Sequence, residues 1–407
     1  MKNILLAGPL NRMDPMISSA LEGLYHKGWN FYGWSSGKDS RAFLLNKLGA
    51  DEKKFFRGSG LSGRKNAVLF FLILPFSRFS ALIRFFLFRR KRPVSVIIVA
   101  GQREKLILAP LARWLKVRLF FLALPGEKPF KKGGLAEKIY LKACRRAKII
   151  SFSPRDRENL LRMGANRDNI RPLNPGIRIT DREQTDLFRE LAGNGDFHRK
   201  FFTIGTIADL NEKQKIEILF QAVNTCVSAI PNLQLIIVGD GKEKKNLTWV
   251  AKKLKIDTRV WMISDIPAPA LAANNFLPDL PSSGLSGGGE KRSAAAGKWL
   301  KSFEIFVSVA DEPRLSDFSN LLKAMAARIP VIAPAGAGFE DIIIQSKTGS
   351  LLEMDLSEML ARQIIRLSKN RSLRVQLGEN AYQQVDKSFT SDIMVGNLEK
   401  ILLENNS

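Results

Sequence analysis

Short apolar runs rich in β-branched and aromatic residues recur between helix-like segments along most of this chain, and that alternation restricts its fold more than any other feature. In the first half the runs are NILLAG at 3–8, WNFYGW at 29–34, VSVIIVAG at 94–101, VRLFFLAL at 117–124 and AKIISFSP at 147–154. In the second half they are FFTIGTIA at 201–208, LQLIIVGDG at 233–241, RVWMIS at 259–264, FEIFVSVA at 303–310 and PVIAPAG at 330–336. Strands apolar on both faces, separated by segments of helical period such as 16–28, predict parallel sheets covered by helices on both sides. The rhythm pauses over a polar stretch near 179–199 and restarts, and 407 residues are more than one core usually organises. The expected architecture is α/β: two tandem Rossmann-like domains, 1–180 and 200–380, with 381–407 as a C-terminal helix crossing back to the first. The segment 267–298, rich in Pro, Gly, Ser and Ala, reads as a flexible insertion between a strand and a helix.

Charge narrows the partners. The formal net charge is +25, from 64 Lys and Arg against 39 Asp and Glu. Residues 61–150 hold 21 of those cations and only three acids, Glu104, Glu127 and Glu137, so most of the excess lies in one region. Such a balance predicts an anionic partner: lipid headgroups, nucleic acid or a phosphorylated substrate. Between Arg78 and Arg92 aromatic and basic residues interleave. One reading is an interfacial helix that sets Arg84, Arg89, Arg90 and Arg92 against an anionic membrane surface; the other is a core helix with a solvated basic end. Nucleic acid ranks behind the membrane, because no RNP-like strand, zinc knuckle or helix-turn-helix pattern accompanies the charge. The apolar run 67–76 is half the length of a membrane span. With no signal-peptide pattern after Met1, the expected place is the cytoplasm, peripheral at the inner face of the cell membrane. Two distant cysteines, Cys144 and Cys226, and two histidines, His26 and His198, leave no disulfide framework or zinc pattern, so neither a cofactor nor a metal is expected.

Three loops read as ligand-facing. Gly239-Asp240-Gly241 follows a strand, where glycines let neighbouring backbone approach and free amides face the sheet's carboxyl edge; a plain turn is the equal alternative. Ser319-Asn320-Leu321 reads as the opening of a helix whose unpaired amides suit a diphosphate, or else as an ordinary Ser cap. Ala335 to Glu340, with Gly336 and Gly338, imitates half of a dinucleotide fingerprint but lacks the third glycine and the later acid, so no nicotinamide site is expected.

The pieces TIADLNEKQKIEILFQAV, LQLIIVGDGKEKKNL, FVSVADEPRLSDFSNLLKAMAARIPVIAPAGAGFEDII, KTGSLLEMD and RVQLGENAYQQVDKSF, between Thr206 and Phe389, resemble in order and spacing the donor half of retaining GT-B glycosyltransferases, in particular glycosyltransferase family 4. The loop at Gly8 and LNPGIRI at 173–179 are similar to the family's acceptor loop and interdomain turn. The resemblance implies a transferase moving sugar from a nucleoside-diphosphate-sugar to a glycolipid or cell-envelope glycan. It implies a donor site of Lys213, Lys215, Gly239, Asp240, Gly241, Ser319, Asn320, Leu321, Lys323, Gly338 and Glu340. In the family a Glu like Glu340 starts the next helix beside the nucleotide; a simple first-turn helix acid is the alternative.

The chain also departs from that pattern. The family's diphosphate-gripping Arg and Lys fall on Asp209 and Gln214, the latter flanked by Lys213 and Lys215. Its paired glutamates fall on Leu315 and Lys323, with Glu312 or Asp317 in the first place if the loop shifts by one. The family histidine after the fourth strand is replaced by Leu124-Pro125-Gly126-Glu127-Lys128. No catalytic residue is assigned; Glu127 and Glu312 are the candidates. The reading is a divergent enzyme in which Lys213, Lys215 and Lys323 rebuild a basic donor pocket; the alternative is a catalytically inactive GT-B module that binds anionic membrane or glycan.

Overall fold

The computed structural model describes residues 2–8, 13–35, 55–57, 67–115, 117–125, 134–145, 147–179, 201–211, 213–263, 300, 302–353 and 357–404. The chain divides into two compact units, Met1–Asn174 with Ser391–Ser407, and Pro175–Thr390. The insertion expected at 267–298 lies outside the described residues.

In the first unit the described elements are β1 (Asn3–Ala7), α1 (Pro15–His26), β2 (Asn30–Ser35), β3 (Phe55–Arg57), α2 (Ala67–Lys91), β4 (Val96–Val99), α3 (Gln102–Leu115), β5 (Arg118–Ala123), α4 (Leu135–Cys144), β6 (Lys148–Ser151), α5 (Pro154–Arg162) and β7 (Ile170–Pro172). The sheet order is β3-β2-β1-β4-β5-β6-β7, and each pairing is parallel. β1 and β4 are buried at every position, as strands with helices on both faces must be. Local chemistry starts the helices. Asp14 accepts a hydrogen bond from Met16 N at 2.9 Å ahead of Pro15, and Ser153 Oγ accepts one from Asp156 N at 3.1 Å ahead of Pro154. Strand order reverses between β1 and β4. There Gly8, at φ +140°, lies so close to the next loop that a Cβ would sit 2.8 Å from Gly101 N. Only glycine fits that turn.

In the second unit the elements are β8 (Phe202–Ile207), α6 (Lys213–Cys226), β9 (Leu233–Val238), α7 (Lys244–Lys253), β10 (Val260–Ile263), β11 (Ile305–Val307), α8 (Leu315–Ala326), β12 (Val331–Pro334), β13 (Gly349–Leu352), α9 (Ser357–Lys369) and α10 (Arg371–Ser388). The order is β10-β9-β8-β11-β12-β13, again all parallel. Both sheets therefore follow the doubly wound order 3-2-1-4-5-6, with β7 added at one edge of the first. Each unit has its own core, built around Leu5, Ile97 and Phe121 in one and Ile204, Leu235 and Ile305 in the other.

The helical stretch expected to run unbroken to the C-terminus is interrupted at Phe389 and Thr390, and α11 (Ser391–Leu403) belongs to the first unit. Ile177 N donates to Phe389 O at 2.9 Å, a contact inside the second unit. α11 buries Met394, Val395, Leu398 and Leu402 and is held by Glu399, which accepts from Lys2 Nζ at 2.8 Å, Trp29 Nε1 at 3.0 Å and Lys27 Nζ at 3.2 Å. Hydrogen bonds from Lys2 and Trp29, then Lys27, hold its carboxyl down at about 2.

That value lies below the ordinary 4.5, so the stabilisation is complete above about pH 5 and is lost as the pH falls toward 2. The cluster is partly solvated, so Glu399→Gln should cost about 1 kcal/mol at neutral pH. Thermal melts of the two proteins should separate at pH 7 and converge as the pH is lowered; equal melting temperatures at pH 7 would show that the cluster does not anchor the helix.

Candidate functional site

In the second unit the chain winds from β8 to β9 and β10 in one direction and returns to β11 to β13 in the other. The loops after β8 and β11 therefore part at the carboxyl edge, the place where open parallel sheets hold ligands. The loop after β9 closes one side of this crevice.

Asp209 turns the β8–α6 loop, its Oδ1 accepting from Asn211 N at 3.1 Å. Leu210 N donates to Asp240 O at 3.1 Å, and Lys242 N donates to Asn211 Oδ1 at 3.2 Å, fastening this loop to the one after β9. Gly239 is required by that packing, because a Cβ there would overlap the carbonyl of Ala208; Gly241 sits in the same way against Leu210. The expectation of ligand-facing amides is corrected here. Gly239 N donates to Ile263 O at 2.9 Å and Gly241 N to the Asp240 carboxylate at 2.9 Å, so both donors are engaged inside the protein. The glycines serve loop-to-loop contact.

A second correction concerns α8. It begins at Leu315, four residues before Ser319, because Pro313 precedes it and Asp317 accepts from Arg314 N at 2.7 Å to close the first turn. Ser319, Asn320 and Leu321 consequently lie inside the helix, the last two buried, and their amides belong to its ladder. Asp317 has its carboxyl pushed up by burial, an effect partly offset by the Arg314 backbone bond and charge. It is a capping residue. Lys323 is half-buried farther along the same helix, and Glu312 is exposed in the loop before it. The side chain of Lys213, and Glu127 altogether, lie outside the described residues.

Two ion pairs bridge the crevice. Lys215, in the first turn of α6, pairs with Asp311 of the β11–α8 loop. Burial by itself would raise the Asp311 carboxyl, but the hydrogen bond and charge of Lys215, with backbone donors, hold it below the ordinary range. The second pair joins Arg314 NH1 to Asp209 Oδ2 at 3.5 Å, both side chains being exposed. The fold thus brings a guanidinium to Asp209 from the opposite loop. The sequence reading missed Arg314 because its partner is 105 residues away.

The loop after β12 forms the remaining wall. Gly336 and Gly338 have φ of +73° and +107°, Glu340 Oε1 accepts from Gly336 N at 2.5 Å, and Phe339 packs on Phe318 of α8 with centroids 5.0 Å apart. No helix follows Glu340, so the first-turn helix acid of the sequence reading is replaced by an acid that closes its own loop. Among the described residues no group of three or more His, Cys, Asp or Glu is placed to hold a metal. Cys144 and Cys226 are buried, with thiols raised by that burial to about 11 and about 12, and neither suits nucleophilic work.

Residues 319–384, which include most of α8, all of β12 and the loop after it, match the family described as glycosyl transferases group 1. The solved structure of Anabaena HepE in complex with UDP superposes with a TM-score of 0.70, covering 99% of each chain at 16% identity. The chain has the GT-B glycosyltransferase fold. Among curated proteins it is similar to N-acetyl-alpha-D-glucosaminyl L-malate synthase of Bacillus anthracis, 26% identical over 197 residues, 48% of this chain and 43% of that one. It is also similar to the capsular polysaccharide biosynthesis glycosyltransferase CapM of Staphylococcus aureus, 31% identical over 85 residues, 21% of this chain and 22% of that one. The chain spans less than half the length of these curated relatives. In this GT-B chain the family match starts just after the two ion-paired loops, so the ion-paired crevice and the matched segment share one edge of the sheet.

The close approach at Gly239 sets a stability test. Gly239→Ala must push the β9 loop off Ala208, at about 3 kcal/mol, which lowers the melting temperature of the second unit by roughly 5–10 °C. A melting curve that superposes on the parent's would show that the loops are not pressed together.

Proposed function

We propose that this GT-B chain transfers a sugar from a nucleoside-diphosphate-sugar to a lipid-linked or cell-envelope glycan acceptor, with retention at the transferred carbon, working at the inner face of the membrane. The observation that carries this reading is the pair of cations, Lys215 and Arg314, set on either side of the switch point beside the segment that matches glycosyl transferases group 1. In such a transfer the bond between sugar C1 and the diphosphate breaks, and a bond from C1 to an acceptor hydroxyl oxygen forms. The hydroxyl proton is given up as the diphosphate departs with the bonding electrons. The departing group gains negative charge, and preformed cations aimed at it are the kind of contact that lowers such a barrier.

Asp209 and Asp311 fit the same scheme. Each holds one cation in place before a ligand arrives, which reduces the ordering that binding would otherwise require. The relatives' names agree with the class: one is a synthase joining N-acetylglucosaminyl to L-malate, one a capsular polysaccharide glycosyltransferase, and a solved neighbour holds UDP.

Calorimetry with UDP, ADP and GDP tests the proposal. The unaltered protein should bind one of them, and Arg314→Ala and Lys215→Ala should each weaken that binding about tenfold, as expected for a charge-assisted contact to phosphate. No nucleoside diphosphate bound at millimolar concentration would overturn the reading and favour a non-catalytic module, a reading that the substitution of the family's glutamate by Lys323 would then explain.

A further inference from the structure

Helix α2 is apolar on two opposite faces. At 100° per residue, Leu74, Ser77, Arg78, Ala81, Phe85 and Phe88 fall within an arc of about 100°. That arc is the inner face: Leu74, Ser77, Ala81 and Phe85 are buried, and Arg78 donates to Leu106 O at 3.0 and 3.2 Å, fastening the helix to α3. Phe76, Phe79, Ile83, Phe86, Leu87 and Arg90 fall in an arc of similar width on the other side. A surface helix normally sets polar residues there. Instead, Phe76 is 73% exposed, Phe79 61%, Ile83 45%, and Phe86 and Leu87 58% each. One third of the exposed large hydrophobics among the described residues are thus gathered on one stripe of one helix.

We propose that this outer face of α2 is a docking surface for an anionic lipid bilayer. Charge selects that occupant. Arg90 is exposed within the apolar stripe toward its C-terminal end, Arg84 is exposed to one side of it, and Arg92 follows with its guanidinium over the Phe88 ring at 5.6 Å. The surrounding sequence 61–150 has 21 cations against three acids. Aromatic side chains lowered into the headgroup boundary with cations level with the phosphates satisfy both features at once. A protein partner would need a matching acidic rim, and nucleic acid has no use for the phenylalanine stripe beyond stacking. The helix lies along the surface and does not cross: no helix among the described residues is long and apolar enough to span a membrane. The inference is independent of the donor site, so the two can fail separately.

Flotation with vesicles of phosphatidylcholine, with and without phosphatidylglycerol, tests it on the full chain. The protein should bind the mixed vesicles and only weakly the neutral ones. Phe79→Ser/Ile83→Ser/Phe86→Ser should weaken binding to mixed vesicles tenfold or more, even at low salt, and Arg84→Ser/Arg90→Ser about tenfold, most of it salt-sensitive. These positions are exposed, so both variants should keep the parent's melting temperature and nucleoside-diphosphate affinity. The proposal is overturned if the parent ignores mixed vesicles at low salt or if the apolar variant binds them as the parent does. It is equally overturned if the parent sediments as a dimer that this variant alone dissociates, or if the stripe proves to govern RNA binding.

Discussion

Everything in this molecule that bears on function depends on strands buried on both faces. A parallel strand with helices above and below has no polar face to offer, so its neighbours must be reached by crossovers, and the loops that turn into those crossovers all emerge at one edge. Reversal of strand order then forces two of those loops apart. In the first unit the parting falls beside Gly8, and in the second between Asp209 and Arg314. The crevice is a consequence of topology before any side chain is considered.

Side chains then decide what the crevice suits. In the second unit it holds two cations, each paired with an acid across the gap. The loop after β11 supplies Arg314 to Asp209, and Lys215 is steadied in the same way by Asp311. Both cations are held by acids across the gap, Arg314 exposed and Lys215 half-buried.

Helix α2 follows a different logic. Its inner stripe does the ordinary work of joining α3 and the sheet, while the outer stripe carries a second set of apolar residues that the fold does not need. Sequence periodicity is blind to such a helix. Apolar residues on both sides cancel the amphipathic signal, and the run reads only as hydrophobic and basic.

The amino-acid sequence by itself determined the two parallel-sheet domains, the return of the last helix to the first of them and the kinship of the segment around Lys323 and Glu340, because these rest on local periodicity and on contiguous motifs. It also marked Gly239 and Gly241 as places of close backbone approach, though not which loop they meet, and it wrongly gave their amides to a ligand. Only the tertiary structure decided that these glycines press one loop on another, that α8 starts at Leu315 and not at Ser319, that Glu340 folds back on its own loop, and that Arg314 stands beside Asp209. The glycine contacts and the Arg314–Asp209 pair join groups that the chain order keeps apart, while the Glu340 turn and the Asp317 cap are local bonds chosen from several that the sequence offers. Local propensity has no term for the first kind, because that energy lies in contacts that exist only once the sheet has brought its loops together.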